Sequence, residues 1–428
     1  MRLALVNPPW SFEGSIYFGC RQPHLPLELG YAKALLEEAG HEAIVVDAQL
    51  EALDENALRS RVETIAPDMT VLTTAPSYLF WRCAPPELRV PQRTRASLGK
   101  AAGIVVAVGP HASTTPRAAL RKLDADAAVL GECEEIVVRL ASLPRERWTE
   151  ISSVAYRTEE GIRVQGAPAS TDMQRLPPLR WPEGAVRAHT HHHHRFDREP
   201  SRPGAEVEAS RGCPYACTFC AKENFRNAFR RRPLATVLIE IDALIAQGVE
   251  YIYFIDEIFL PHVDLLEALR ERDIAFGVQM RIDNWTRESL DLLGAAGCVS
   301  IEAGVESVTP EGRSLLAKKC RISTDGLVDL LVHAKQHVPF VQANLISSPA
   351  DDPSAVAAFR STLAARGVWA NEPVPMFPYP GSPDYTRRWG LPDDVAWERA
   401  HAHYLKEFCA FSDIQESRPE ALGALERL

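Results

Sequence analysis

The sequence predicts an α/β protein wound in two halves. Strand-like and helical periods alternate from Arg2 to Leu130, and again from Val207 to Phe377. Between them lies Leu176-Pro177-Pro178-Leu179-Arg180-Trp181-Pro182, whose prolines remove backbone donors and bias their predecessors to extended forms, so neither pattern runs through it. In both halves, polar residues gather where a strand gives way to the next helix.

In the first half, Arg2–Val6 reads as a buried strand ending at Asn7-Pro8-Pro9. Leu27–Ala39 has helical period, with Leu29, Ala32, Leu35, Leu36 and Ala39 apolar and Gly40 as a stop. Strands follow at Ala43–Val46, Met69–Thr73, Ile104–Val108 and Ala127–Leu130, with helices at Glu55–Ile65, Arg93–Ala102 and Pro116–Leu123. Such alternation predicts a parallel, doubly wound sheet, whose ligands bind beyond the carboxyl ends of the strands. Those ends are Asn7-Pro8-Pro9-Trp10, Asp47-Ala48, Thr74-Ala75-Pro76-Ser77, Gly109-Pro110-His111-Ala112 and Gly131-Glu132. No G-x-G-x-x-G follows the first strand, which weakens a dinucleotide reading. Tyr78 to Pro86 is an aromatic, proline-rich insert that either shields a ligand face or packs into the domain interface.

The connecting stretch, residues 146–205, predicts a hairpin of Val154–Arg157 and Ile162–Val164. His189 and His191 to His194 form a polar tract without a spaced partner, which reads as a solvated linker rather than a metal clip.

Cys213, Cys217 and Cys220 then fall in eight residues, spaced C-x-x-x-C-x-x-C, in a loop leaving the strand-like Val207-Glu208-Ala209. Three thiolates so close can converge on one soft metal centre. Zinc wants a fourth ligand at fixed spacing, and the ferredoxin run wants a fourth cysteine followed by Pro. The sequence continues instead Ala221-Lys222-Glu223. Three ligands suit a four-iron four-sulfur cluster with one open iron. Cys20, Cys83, Cys133, Cys298, Cys320 and Cys409 are scattered and read as small core or surface residues.

After the thiol loop, helices are predicted at Thr236–Gln247, Val263–Arg272, Glu288–Ala296, Gly326–His337 and Ala355–Arg366. Strands are predicted at Tyr251–Ile255, Ala275–Met280, Val299–Ala303, Phe340–Ile346 and Pro373–Phe377. Their ends carry Asp256-Glu257, Arg281 with Asp283, Glu302 to Ser307, and Pro380-Gly381-Ser382-Pro383. Residues 386–428 predict a helical cap over the mouth of this half, burying Trp389, Trp397, His401, His403, Tyr404 and Phe408.

The 428 residues suffice for two or three domains at ~150 residues each. A net charge of −10 argues against a general nucleic-acid binder, which would show a basic face. Met1 to Pro9 is too short in its apolar run for a secretory signal, and no stretch reaches ~18 apolar residues, so no membrane span is expected. Nine cysteines, odd in number and clustered, suit a reducing cytoplasm.

The cysteine motif, with Phe219 before its last member, resembles that of radical S-adenosylmethionine (SAM) enzymes. The strand ends of residues 1–145, with Pro26 to Tyr31 and Ala39-Gly40-His41, resemble the cobalamin-binding domain found ahead of many radical SAM domains, and residues 206–385 resemble the partial six-stranded barrel of that subgroup. The resemblance implies a Rossmann-like domain (1–145), a linker (146–205), a partial (β/α)6 barrel (206–385) and the helical cap (386–428). It implies cluster ligation by Cys213, Cys217 and Cys220, with Phe219 beside the cofactor. Among SAM contacts, Glu257 is assigned to the ammonium, Arg281 to the carboxylate, and Glu302 or Glu306 to the ribose. Asn7, Pro8, Tyr78, Gly109, His111, Gly131 and Glu132 are assigned to cobalamin. Where mutase-type cobalamin domains carry D-x-H-x-x-G, this chain has Asp47-Ala48-Gln49-Leu50-Glu51-Ala52, so no lower histidine ligand is implied there. Ser347-Ser348-Pro349-Ala350 replaces the glycine-rich turn of relatives, so the adenine contact is not carried over.

The implied activity is reductive cleavage of SAM to a 5′-deoxyadenosyl radical, followed by methyl transfer from methylcobalamin to an unactivated carbon of a small molecule. A flavodoxin- or ferredoxin-type reductase would supply the electron. Two alternatives stay open: radical rearrangement, ring contraction or cyclisation without methyl transfer, and a non-catalytic cofactor sensor. A shared chemistry requires the two strand-end faces to oppose each other, with loops bearing Trp10, Tyr78 and His111 approaching those bearing Glu257, Arg281 and Glu306.

Overall fold

Two parallel sheets carry the computed structural model, which describes residues 1–16, 22–77, 84–189, 195–224, 226–407 and 418–427. The first contains β1 (Arg2–Asn7), β2 (Glu42–Asp47), β3 (Met69–Thr73), β4 (Ile104–Val108), β5 (Ala127–Val129), β6 (Val154–Thr158) and β7 (Gly161–Gln165). Their order is β2-β1-β3-β4-β5-β6-β7. The first five strands are parallel, and β6 and β7 run antiparallel to their predecessors. The chain winds one way from β1 to β2 and the other way to β3, so the crevice where ligands bind such sheets opens beside Asn7 and Thr73.

β1 is apolar from Leu3 to Val6 because both faces are covered there. Leu3 and Leu5 join Val71, Val106 and Val108 in one core, while Ala4 and Val6 join Leu72, Val105 and Ala107 in the other. Helices Leu27–Glu38 and Glu134–Ser142 contribute to the first core, and Glu55–Ile65 to the second. Fully burying each Leu, Val or Ile side chain among them stabilises the fold by roughly 1.5–3 kcal/mol. The hairpin expected in the linker instead extends this sheet through β6 on β5, so the first half runs to Gln165. Helix Glu134–Ser142 was not anticipated.

The second half contains β8 (Gly204–Val207), β9 (Ser210–Arg211), β10 (Arg230–Arg231), β11 (Tyr251–Phe254), β12 (Ala275–Met280), β13 (Cys298–Glu306), β14 (Phe340–Leu345) and β15 (Trp369–Ala370). Six of these form a parallel sheet in chain order, β8-β11-β12-β13-β14-β15, while β9 and β10 pair separately. Ile301, Ala303 and Val305 of β13 join Val278, Met280, Val341 and Ala343 in one apolar core. The alternate positions of β13, Ser300, Glu302 and Gly304, lie in register with Gly277 and Gln279 on β12 and with Gln342 and Asn344 on β14. A parallel sheet covered by helices on both faces would be apolar throughout, so this polar row marks a face that serves something else. The last strand forms at Trp369–Ala370 rather than Pro373–Phe377, because Pro373 and Pro375 have no N–H to donate; Val374 retains one bridge to Ile346.

The C-terminal helices Pro383–Trp389, Ala396–Glu407 and Leu422–Leu425 differ in placement from the expected lid. They pack on the first half and on Phe377 and Tyr379, in one core with Leu3 and Leu5. Lys122 bridges Glu398 and Glu426 at 2.7 Å each, and the Leu88 amide donates to Glu426. Trp397, His401 and Tyr404 are buried as expected, and Trp389 and His403 meet edge-on. No described helix is long and apolar enough to cross a membrane.

Candidate active site

The thiol loop is held by backbone hydrogen bonds and by a few buried polar side chains. Gly212 has φ 81°, and a Cβ there would lie 2.1 Å from the Ala228 carbonyl oxygen, so only glycine fits. The Cys213 amide donates to Asn227 O at 3.3 Å, Thr218 N to Leu316 O at 3.1 Å, and Asp384 N to Thr218 O at 2.9 Å. Cys213, Cys217 and Cys220 are half-buried and in no disulfide, and Phe219 is half-buried between them. Burial pushes the Cys217 thiol up, against the pull of Lys318 and Arg281. Three thiols outside any disulfide in one pinned loop, with cations nearby to favour thiolates, fit a soft metal cluster.

Arg281 leaves the end of β12 and chelates Asp283 through Nε and Nη2 at 3.1 and 2.6 Å. Its guanidinium carbon sits 3.8 Å from the Tyr215 ring centroid, inside the thiol loop. Its Nη1 is buried with no hydrogen-bond partner. A buried unpaired donor is costly, and a carboxylate arriving there would relieve it, so the expected role of Arg281 fits. Burial would raise the Asp283 carboxyl, but Arg281, with Cys320 alongside, holds it below its ordinary value. Cys320, read as a scattered thiol, therefore lies beside the site.

Glu257 anchors the thiol loop: one carboxylate oxygen accepts the Gly212 amide at 2.7 Å and the other accepts Arg226 at 2.8 Å, one acceptor site used on each oxygen. Glu302 is buried on the polar row of β13. Glu306 has a left-handed φ of 63° and pairs with Lys318, whose ammonium also donates to Gly304 O at 2.7 Å.

On the first sheet, Asn7 donates to Asp47 at 2.8 Å and accepts from Trp10 Nε1 at 2.7 Å, and Pro8 is buried beside it. Burial raises Asp47 to about 6, and its second oxygen has no hydrogen-bond partner. Gly109, at φ 110°, opens the short helix Pro110–Thr114. His111 is not presented to a ligand: its Nε2 bonds to Pro85 O at 2.8 Å and its ring stacks on Trp397 at 4.0 Å. Gly131 is covered as well, because a Cβ there would lie 2.4 Å from the Ala169 backbone. Tyr78 and His191 to His194 lie outside the described residues. His189 is not solvated; it is buried, bonded to Gly204 O at 2.8 Å and 3.2 Å from the Glu206 carboxylate.

Glu132 was expected on a ligand and is found in a buried ionic seam between the two halves. Arg211, immediately before Gly212, meets Glu132 at 2.8 Å, Glu134 at 2.9 Å and Glu208 at 2.9 Å, with every partner at most 1% exposed. Arg226 continues the seam from Glu208 (3.0 Å) to Glu257 (2.8 Å), and Arg230 also pairs with Glu132. Asn224 adds a neutral link, donating to Thr114 Oγ1 at 2.9 Å. Strand-end loops of the two sheets therefore meet, through Glu132, Glu134 and Thr114 rather than through Trp10 or His111. In the sequence, Glu208 and Arg211 follow the end of β8, and Arg226 and Arg230 follow the thiols, but their local pattern does not point to Glu132 or Glu134.

Comparison with known proteins agrees with this geometry. Residues 207–347 match the radical SAM superfamily model. The chain is 24% identical over 332 residues to the uncharacterized methyltransferase PH0819 of Pyrococcus horikoshii, covering 74% of this chain and 68% of that one. It is 23% identical over 340 residues to the anaerobic magnesium-protoporphyrin IX monomethyl ester cyclase of Rubrivivax gelatinosus, covering 75% of this chain and 58% of the cyclase. Its fold matches that of the radical S-adenosylmethionine methyltransferase TsrM of Kitasatospora setae, solved with cobalamin and a 4Fe-4S cluster, at TM-score 0.70 and 20% identity, covering 90% of this chain and 77% of that one. The chain carries a radical SAM domain. The fold match with TsrM spans 90% of this chain.

Proposed function

We propose that the chain is a cobalamin-dependent radical SAM enzyme that methylates an unactivated carbon of a small molecule, with the second sheet as an incomplete barrel. The observation that carries the reading is the seam: Arg211, one residue from the thiol loop, is buried against Glu132 and Glu134 at the strand ends of the first sheet. A radical enzyme that moves a methyl group needs both cofactors to reach one substrate carbon without bulk water between them. When bound, the cluster and SAM supply the radical and cobalamin carries the methyl. The residues of this chain do the holding. Cys213, Cys217 and Cys220 would ligate iron, the spare Nη1 of Arg281 would receive the SAM carboxylate, and Glu302 on the polar row would face the ribose. Glu257 and Arg226 fix the thiol loop. Asn7, Asp47 and Gly109 line the crevice assigned to cobalamin.

A reading without net methyl transfer, as a cyclase or rearrangement enzyme, is favoured by the 340-residue similarity to the magnesium-protoporphyrin ester cyclase. The experiment that separates the two is incubation of the reconstituted protein with methyl-labelled SAM, a low-potential reductant and candidate substrates. Label in the product supports methyl transfer; 5′-deoxyadenosine with an unlabelled, altered product supports rearrangement.

A further inference from the structure

Away from the thiol loop, the helices after β12 and β13 bring a second set of ligand atoms together. Asp291 lies on helix Arg287–Ala295, and His333 and His337 lie one turn apart on helix Thr324–His337. His333 Nε2 is 2.6 Å and His337 Nε2 3.0 Å from the same carboxylate oxygen, Asp291 Oδ1. All three ligand atoms lie within 4.8 Å of one another.

Three features separate this group from a chance surface pair. The helices approach closely: a Cβ on Gly294 would lie 2.7 Å from His337 Cβ, so glycine at 294 is what brings Asp291 against the two imidazoles. The His333 side chain is only 13% exposed, so its direction is set by packing, while Asp291 and His337 keep access for an incoming ion. Both imidazoles aim the same nitrogen, Nε2, at one point. Two donors on one carboxylate oxygen make a poor use of two neutral imidazoles, whereas a cation there would take all three groups as ligands.

We propose that Asp291, His333 and His337 bind a divalent transition-metal ion of the zinc class. Zinc with imidazole nitrogens at ~2.0–2.1 Å and a carboxylate oxygen at ~2.0–2.2 Å has tetrahedral edges of ~3.3 Å. The observed separations of 2.6 and 3.0 Å therefore need only a slight opening. Two imidazoles and one carboxylate leave one position for water, and Glu288, one turn before Asp291 and electrostatically coupled to His333, adds negative potential beside it. The ion ties two outer helices together and is separate from the cluster thiols.

The test uses full-length protein whose cluster has been reconstituted, so that its thiols are occupied by iron. Zinc is titrated against a chromophoric competitor into wild type, the H333A/H337A double variant and D291N. The histidine run at 191–194 can also bind zinc, and comparison by difference removes that contribution. The expected result is about one fewer zinc per chain in the double variant, and an affinity at least ~10-fold weaker in D291N, as loss of one of three ligands implies. Zinc should also raise the melting temperature of wild type more than that of the double variant, with 5′-deoxyadenosine formation unchanged in both. Equal zinc stoichiometry and affinity in wild type and the double variant would overturn the proposal.

Discussion

Replacing Arg211 with glutamine tests whether the seam couples the two halves. The seam holds four carboxylates, Glu132, Glu134, Glu208 and Glu257, against three guanidiniums, Arg211, Arg226 and Arg230. The substitution leaves the four acids with two cations. Arg211 and its three partners are fully or almost fully buried, so solvent cannot substitute for the lost charge, and breaking such a buried pair costs ~3–5 kcal/mol. With a urea m-value of about 3 kcal/mol/M, the unfolding midpoint should fall by about 1–1.7 M near neutral pH.

The pH dependence gives the sign. In wild type, burial would raise Glu132, and Arg211, aided by Arg230 and Arg226, holds it below its ordinary 4.5. Its contribution is therefore present above the unfolded value and lost as pH falls through the folded one. Without Arg211 the burial effect is less opposed, the folded value rises, and the variant takes up a proton that wild type does not. The deficit relative to wild type should shrink between pH 8 and pH 5.5, by up to ~1.4 kcal/mol for each unit the Glu132 value has risen. A midpoint within about 0.3 M of wild type at neutral pH, or a deficit that grows on acidification, would refute the reasoning.

Gly212→Ala should lose most of its cluster iron while the first half stays folded, because the new methyl meets the Ala228 carbonyl; iron analysis and near-ultraviolet circular dichroism check both parts. Arg281→Lys should weaken SAM binding by at least ~10-fold, since one ammonium cannot replace a planar fork that holds Asp283 and also offers a spare donor; equilibrium dialysis with SAM reads it. Burial lowers His111 from 6.5 to about 3. Its stabilising share is thus present above pH 6.5 and lost as pH falls toward 3, at up to ~1.4 kcal/mol per unit, and His111→Phe should flatten that slope in acid melts. Cobalamin in the cobalt(II) state should show no nitrogen splitting from this chain in paramagnetic resonance, because Gln49 stands where mutase-type domains place a histidine; such splitting would overturn that expectation.

Where apolar period and strand length are strong, the fold is legible in the sequence. Strands β3, β4 and β12 fall on the residues expected, because each is a short, largely apolar or β-favouring stretch bounded by a helix and a polar turn. The thiol motif and Arg281 are legible for a different reason: their chemistry is local, set by spacing or by a single guanidinium at a strand end. Partners distant in sequence were not legible. Glu132 and Arg211 are 79 residues apart, and nothing in either neighbourhood names the other. Glu257 carries a ligand role only through the resemblance, and its hydrogen bonds to Gly212 and Arg226 were not legible in its neighbourhood. His111 was assigned to a ligand for the same kind of reason, and the C-terminal helix covers it through Trp397. Strand-end position shows that a residue can face a site, but only packing shows whether another protein group has already taken it.

The central claim is that one chain holds both cofactors and uses the thiol loop to cleave SAM. It is tested most directly by anaerobic reconstitution of wild type and Cys217→Ala with iron, sulfide and cobalamin, followed by SAM and a low-potential reductant. Wild type should retain about four irons and one cobalamin per chain and form 5′-deoxyadenosine. Cys217→Ala should keep its cobalamin and form none. A variant that still produces 5′-deoxyadenosine, or a wild type that binds neither iron nor cobalamin, would contradict the account.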